Sequence, residues 1–227
     1  MKKHDTVWML LVGVTFLGIV TVRETDWRRY LALVNEDGLV EYLSAAVLFL
    51  AAVYAVLLAR RLRDAQQDWI SVSAALLIGA FFLLVGQEEI SYGQRIFSIA
   101  TPQIFMEMNT QQEITLHNLK PVQRMLNAIY IVAGLYGMFS GLIFDHLIKR
   151  WLPADFLTRF PVELFVVPAR YALLFAPVLV MTIAWVLRHE SLMAWIRQPD
   201  EEPAELFLYL GCCLFIRDKY LMWRRVQ

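Results

Sequence analysis

Six apolar runs, at or near the length needed to cross a bilayer, limit what this chain can fold into more than anything else in it. They cover residues 7–22, 39–59, 69–87, 122–144, 164–187 and 204–217. A span needs about 20 mostly apolar residues, and in lipid its backbone polar groups must be satisfied within the segment, so each run is expected to be a helix. The sixth run is short and the fifth contains Arg170. With 59% hydrophobic and 19% charged residues in a chain of 227, the composition is too apolar for a soluble domain. The expected fold is all-α: a polytopic membrane helical bundle of about six spans, with residues 1–227 forming a single transmembrane domain. Lys2 and Lys3 precede the first run as they would in a secretory signal, but Arg23 and Glu24 follow Val22 without a small-residue cleavage site, so this run is read as retained.

The basic residues orient the bundle, because basic loops stay in the cytoplasm. An inside N-terminus places 13 of the 21 there: Lys2, Lys3, Arg60, Arg61, Arg63, Lys149, Arg150, Arg159, Arg170, Arg217, Lys219, Arg224 and Arg225. The same assignment puts 14 of the 21 acids outside, so a net charge of zero hides an acidic outer face. The expectation is a multi-pass protein of a bacterial inner membrane, N-in and C-in, with short polar helical segments on the periplasmic side. No basic surface suits a nucleic-acid partner. Pro153, Pro161 and Pro168 break the chain before the fifth run, and residues 160–167 read as an interfacial or re-entrant piece.

Polar chemistry concentrates where the third run ends. GQEEISYGQR, residues 86–95, follows a stretch from Trp69 to Gly86 that has no ionisable side chain. If the helix continues, Glu88, Ser91, Tyr92 and Arg95 share a face, with Glu89 turned about 100° from Glu88. The second polar string is TQQEITLHNLKP, residues 110–121. There Glu113 and His117, four apart, would share a helix face and converge on one metal ion or on each other. Asn109 reads as the cap of this short helix, Gln112 and Asn118 add neutral partners, and Pro121 ends it. A plainer reading competes at both places: an interfacial cap in which Arg95 neutralises Glu88, and a structural Glu–His hydrogen bond. Glu36, Asp37, Glu201 and Glu202 read as first-turn helix acids, whereas Glu41 and Glu205 lie one turn further in and are candidates to join the site.

Together, EEISYGQRIF, the Thr101–Pro102 turn and the N-x-Q-x-E-x-x-L-H-N of residues 109–118 resemble a signature of uncharacterised bacterial multi-spanning membrane proteins, in which EEISWGQ and NLHN recur in this order. The glutamate pair followed by an arginine also resembles the first motif of CAAX-type glutamate intramembrane proteases. That likeness implies that Glu88 and Glu89 activate water.

The reading these residues favour is a membrane hydrolase acting on a lipid, a lipid-linked intermediate or a membrane peptide. Glu88, Glu89, Glu113, His117, Arg95 and Tyr92 are its candidate catalytic residues. Glu88, Glu113 and His117 are its candidate ligands for a divalent metal, zinc or iron. The alternative is a non-catalytic accessory or assembly subunit of a larger membrane complex, binding lipid or pigment. Gly134, Gly137 and Gly141 permit close helix contact, either internally or in a homo-oligomer. Transport ranks last, since the third, fourth and sixth runs carry no ionisable residue near mid-membrane. Cys212 and Cys213 read as buried thiols, and the lack of CxxC argues against a thiolate zinc site.

Overall fold

Five of the six apolar runs lie wholly within helical structure in the computed structural model, which describes residues 3–35, 38–151 and 162–223, and the fifth is continuously helical only from Ala169 onward. The main helices among the described residues are α1 (Lys3–Thr25), α2 (Trp27–Val34), α3 (Leu39–Asp64), α4 (Trp69–Glu89), α5 (Gln103–Met108), α6 (Lys120–Ile143), α7 (Ala176–Leu187) and α8 (Glu201–Trp223). Helix α6 runs on through a π turn, Phe144–Ile148, to Trp151. Among the described residues there is no strand, only an isolated bridge between Asn109 and Leu119.

Among the described residues four stretches are long and apolar enough to cross a membrane: Trp27–Asp64, Trp69–Glu89, Met125–Trp151 and Ala169–Leu187. The first and sixth runs are also helical but fall outside that set. The sixth, short in sequence, is the middle of the 23-residue helix α8. This helix carries charge at both ends, yet Ala204, Phe207, Leu214 and Ile216 are buried in the main core. Protein rather than lipid surrounds α8, so its charged residues find partners there, as Asp218 does in its ion pair with Arg170.

Residues 160 and 161 lie outside the described residues, as do Pro153, Arg159, Glu36 and Asp37. Beyond them Val162–Leu164 makes one 3-10 turn, and the helix resumes at Ala169 as a 3-10 stretch to Phe175 before α7 begins. Pro168 sets this start: it has no N–H to donate and fixes its own φ, both suited to a helix entrance.

Glycines let the helices approach. A Cβ on Gly86 would lie 2.8 Å from the Phe49 ring, and one on Gly134 would lie 2.7 Å from the Cβ of Leu179. Phe175 wedges between Gly137 of α6 and Gly211 of α8, while Gly141 abuts the Val167 carbonyl. The Gly134, Gly137 and Gly141 stripe is therefore used for internal packing. Helix α1 behaves differently, leaning on α8 through an edge contact between Phe16 and Phe207 at 5.4 Å while Leu10, Leu11, Val14 and Leu17 stay exposed.

The polar ends of the helices meet. Arg23 at the end of α1 pairs with Asp200, Val40 of α3 packs on Leu206, and Tyr130 of α6 donates to Glu205. Glu89, the last residue of α4, accepts from Tyr209 of α8. The candidate site lies at this end.

Overpacking a glycine contact of this kind costs about 1–3 kcal/mol. Gly137→Leu is expected to lower the thermal midpoint in detergent by several degrees. Gly18→Leu on α1, where an added Cβ meets nothing within 4 Å, is expected to leave the midpoint unchanged; paired thermal melts of the two variants check this.

Candidate functional site

Helix α4 stops at Glu89 instead of continuing. Ser91, Tyr92 and Gly93 all take positive φ, at 48°, 54° and 75°. Glycine adopts this conformation freely, but for Ser91 and Tyr92 it costs about 1–2 kcal/mol each. Strain of this kind persists only where surrounding contacts hold it, and it clusters at functional sites. The expected continuous face of Glu88, Ser91, Tyr92 and Arg95 is thus not formed, because the chain turns back on itself after Ile90. The reversal brings the Tyr92 hydroxyl to Glu88 Oε1 at 2.5 Å. Burial, and then the neighbouring Glu88 carboxylate, push the Tyr92 phenol up to about 12, so it remains a donor at neutral pH.

The second polar string is not helical either. Residues 109–119 form an irregular loop whose ends meet at the Asn109–Leu119 bridge. Asn109 organises it from within, donating to the Thr115 carbonyl and hydroxyl, both at 2.9 Å, and accepting from Gln111 N at 2.8 Å. Asn109 therefore holds the loop rather than capping a helix over 110–118. Thr110 N donates to the Asn118 carbonyl at 2.9 Å, and the Asn118 amide donates to Gln111. Short polar side chains bonding to nearby backbone offer an alternative to the helix ladder, and here that alternative wins. Pro121 starts α6 instead of ending a helix.

The two strings meet in three places. Glu88 Oε2 accepts from the backbone N–H of Leu116 at 2.6 Å and of His117 at 3.0 Å, and lies 3.2 Å from His117 Nδ1. Glu113, buried, pairs with Arg95 and accepts from Ser91. Gln94 accepts from Ile114 N at 2.7 Å and donates to Thr101. Of the expected site residues, Glu88, His117 and Tyr92 are therefore brought together. Glu113 and Arg95 are engaged with each other beside them, so Glu113 and His117 do not converge on one ligand position as a shared helix face would have required.

Glu89 turns the other way. With Glu202 and Glu205 of α8 it forms a group whose carboxylate oxygens all lie within 4.8 Å of one another, and Glu89 and Glu205 are buried. The Tyr209 hydroxyl donates to Glu89 Oε1 at 3.0 Å and lies 3.4 Å from Glu205 Oε2, while Tyr130 donates to Glu205. His117 is within electrostatic reach of Glu201 and Glu205, which ties this group to the Glu88–His117 pair. Three carboxylates so close repel one another unless a cation or shared protons lie among them. Oxygen donors alone suit a hard divalent cation, in contrast to the nitrogen and sulfur ligands zinc prefers. Separately, Ser44 of α3 has a buried hydroxyl without a hydrogen-bond partner. It stands on α3 one turn before Leu48, which packs against Gly86 of α4, so it is level with the end of α4.

Glu202, Tyr130 and Tyr209 had no part in the site anticipated from sequence, and Glu205 was only a candidate. The one sequence signal for them was the position of Glu205 inside the sixth run.

The Arg95–Glu113 pair separates a structural from a chemical role. Arg95→Leu leaves Glu113 buried without its partner, an effect of about 3–5 kcal/mol. The double replacement Arg95→Leu with Glu113→Leu is expected to recover most of that loss. Unfolding midpoints of the two single variants and the double variant check this. Comparison with protein-family models, with curated proteins and with solved structures gives no match, so the site is interpreted from its own geometry.

Proposed function

We propose that this chain is a hydrolase of a bacterial inner membrane, with six spans and both termini inside. Its site lies at the periplasmic face and acts on a lipid, a lipid-linked intermediate or a membrane peptide. One observation carries the reading: two consecutive residues, Glu88 and Glu89, feed two different groups, a carboxylate–imidazole pair and an oxygen-donor cluster, one peptide unit apart.

The roles divide accordingly. Glu88 already accepts from two backbone N–H groups and Tyr92, so it is an orienting group rather than a free base. It holds the His117 ring through Nδ1, which leaves Nε2 to take and return the proton of an attacking water. Glu89, Glu202 and Glu205 hold a divalent cation, which when bound supplies water activation and charge stabilisation. The oxygen-only donor set points to magnesium, manganese or calcium in place of the zinc or iron expected from a Glu88, Glu113 and His117 set. Glu113 and Arg95 keep the loop in register beneath His117 and are positioning residues. Exposed Ile96, Phe97, Ile99 and Ile104 flank the site and suit a loop dipping into the acyl region, where such substrates reside. The same apolar loop favours the second reading, docking of an accessory subunit into a larger complex.

The test uses the full chain in proteoliposomes with Mn²⁺ as the cation and a panel of labelled phospholipids, polyprenyl phosphates and membrane peptides. Wild type is expected to bind one Mn²⁺ per chain, and Glu89→Gln or Glu205→Gln to weaken it about tenfold or more. His117→Ala is expected to keep Mn²⁺ and lose roughly 10²–10⁴-fold in turnover. Turnover unchanged by His117→Ala, or no turnover of any panel member by wild type, would overturn the hydrolase reading and leave the docking one.

A further inference from the structure

A second feature lies on the opposite side of α8 from the acids. At 100° per residue, Pro203, Ala204 and Phe207 project from one face of the helix and Glu202, Glu205 and Tyr209 from the other. The first face walls a cavity of about 560 Å³ bounded also by α1 and by the segment from Leu173 to Met181. Its lining is apolar except at one end, where Arg23, Tyr30, Trp195 and Asp200 meet.

That end is a tied polar network. Arg23 binds both oxygens of Asp200 at 2.8 Å and stacks over the Trp195 ring at 4.7 Å, and Tyr30 donates to Asp200 at 2.6 Å. Burial works to raise the Asp200 carboxyl, but the hydrogen bonds from Arg23 and Tyr30 outweigh it and hold its pKa below the ordinary range. Arg197, exposed, lies 4.3 Å above the ring of Trp27, which in turn packs on Tyr30. Arginine and tryptophan together mark the headgroup level of a bilayer. Along α1 the lining runs from Arg23 down to Val12. Eleven residues at 1.5 Å each make about 16 Å, close to one leaflet of a hydrocarbon core about 30 Å thick.

We propose that this cavity is a specific phospholipid site, with one acyl chain lying along α1 between Val12 and Ile19 and the phosphate of the headgroup at the polar end, beside Trp195 and toward Arg197. Three features fit this occupant: an apolar channel of leaflet depth, a polar network at one end only, and beyond that network the exposed guanidinium of Arg197, carried on the Trp27 ring that packs against Tyr30, to meet a phosphate. The site is distinct from the acid centre, so lipid binding and catalysis fail separately.

Two glycines of α1 provide the test. Gly13 lines the cavity whereas Gly18 does not, and at both an added Cβ meets nothing within 4 Å. The protein, extracted in mild detergent, is titrated with a phosphatidylglycerol and a phosphatidylethanolamine of defined chains and read by native mass spectrometry. Wild type and Gly18→Phe are expected to retain one phospholipid per chain, and Gly13→Phe to lose about tenfold in affinity, equivalent to about 1.4 kcal/mol. Arg197→Gln is expected to weaken phospholipid retention but not that of a detergent carrying the same alkyl chain without phosphate. Equal retention by the Gly13 and Gly18 variants would mean only annular lipid and overturn the proposal. A phospholipid with a photoreactive acyl chain provides a readout on the unaltered protein. Labelling of Val12, Phe16 and Met181 supports the site, and labelling spread evenly over exposed positions such as Leu77 and Leu84 overturns it.

Discussion

Polar groups at the end of an apolar bundle have little water to fall back on, and the reversal after Glu89 is built around that shortage. Left-handed Ser91 and Tyr92 are unfavourable on their own. Each is held by a carboxylate: Ser91 donates to Glu113, and Tyr92 donates to Glu88. The same two acids fix the loop 109–119, through Arg95 on one side and the Leu116 and His117 amides on the other. The strain in one segment is thus offset by hydrogen bonds made with the other. The reversal has no local reason to take its shape alone, and the loop adds these contacts to its own short-range bonds, which is why both depart from the helices their spacing suggests.

This mutual dependence explains what could be read in the sequence and what could not. The helices were legible because a long apolar run has one solution in lipid, and Trp69 to Gly86 offers no other. The meeting of the EEISYGQR and QQEITLHN strings was legible too, since two polar clusters lie within about 25 residues of each other in a chain that is otherwise apolar. Their conformation was not. A Glu–x–x–x–His spacing favours a helix, and the competing pull came from Asn109 and Thr110, whose side chains bond to loop backbone, and from the Thr115 and Asn118 side chains, which bond to those of Asn109 and Gln111; these bonds are individually small and decide the outcome only together. Glu202 was missed for a different reason. A glutamate in a first helical turn is already explained by the helix dipole, so nothing in the sequence demands a partner 113 positions away at Glu89. Gly137 was ambiguous for a similar reason: its sequence spacing permits a close neighbour without saying whether that neighbour is Phe175 or another chain.

Helix α8 is where these local solutions become one structure. Its first two turns carry carboxylates on one face and the wall of the lipid-sized cavity on the other, so the two features are separated by the width of a single helix. Glu202 and Glu205 belong to α8, but Glu89 belongs to α4, and the distances among the three depend on how α8 sits against its neighbours. A displacement of α8 as small as 1 Å is a large fraction of the 4.8 Å within which those oxygens gather. Close-packed interiors resist such movement, and the Phe175 ring, lodged between Gly137 of α6 and Gly211 of α8, provides that resistance on the cavity side. Across the helix, the Tyr130 and Tyr209 hydroxyls tie the carboxylates to α6 and to α8 itself. The glycine contacts deep in the bundle and the acid cluster at its end therefore work on the same variable, the position of α8. Loosening the former widens the spacing of the latter without touching any of its residues.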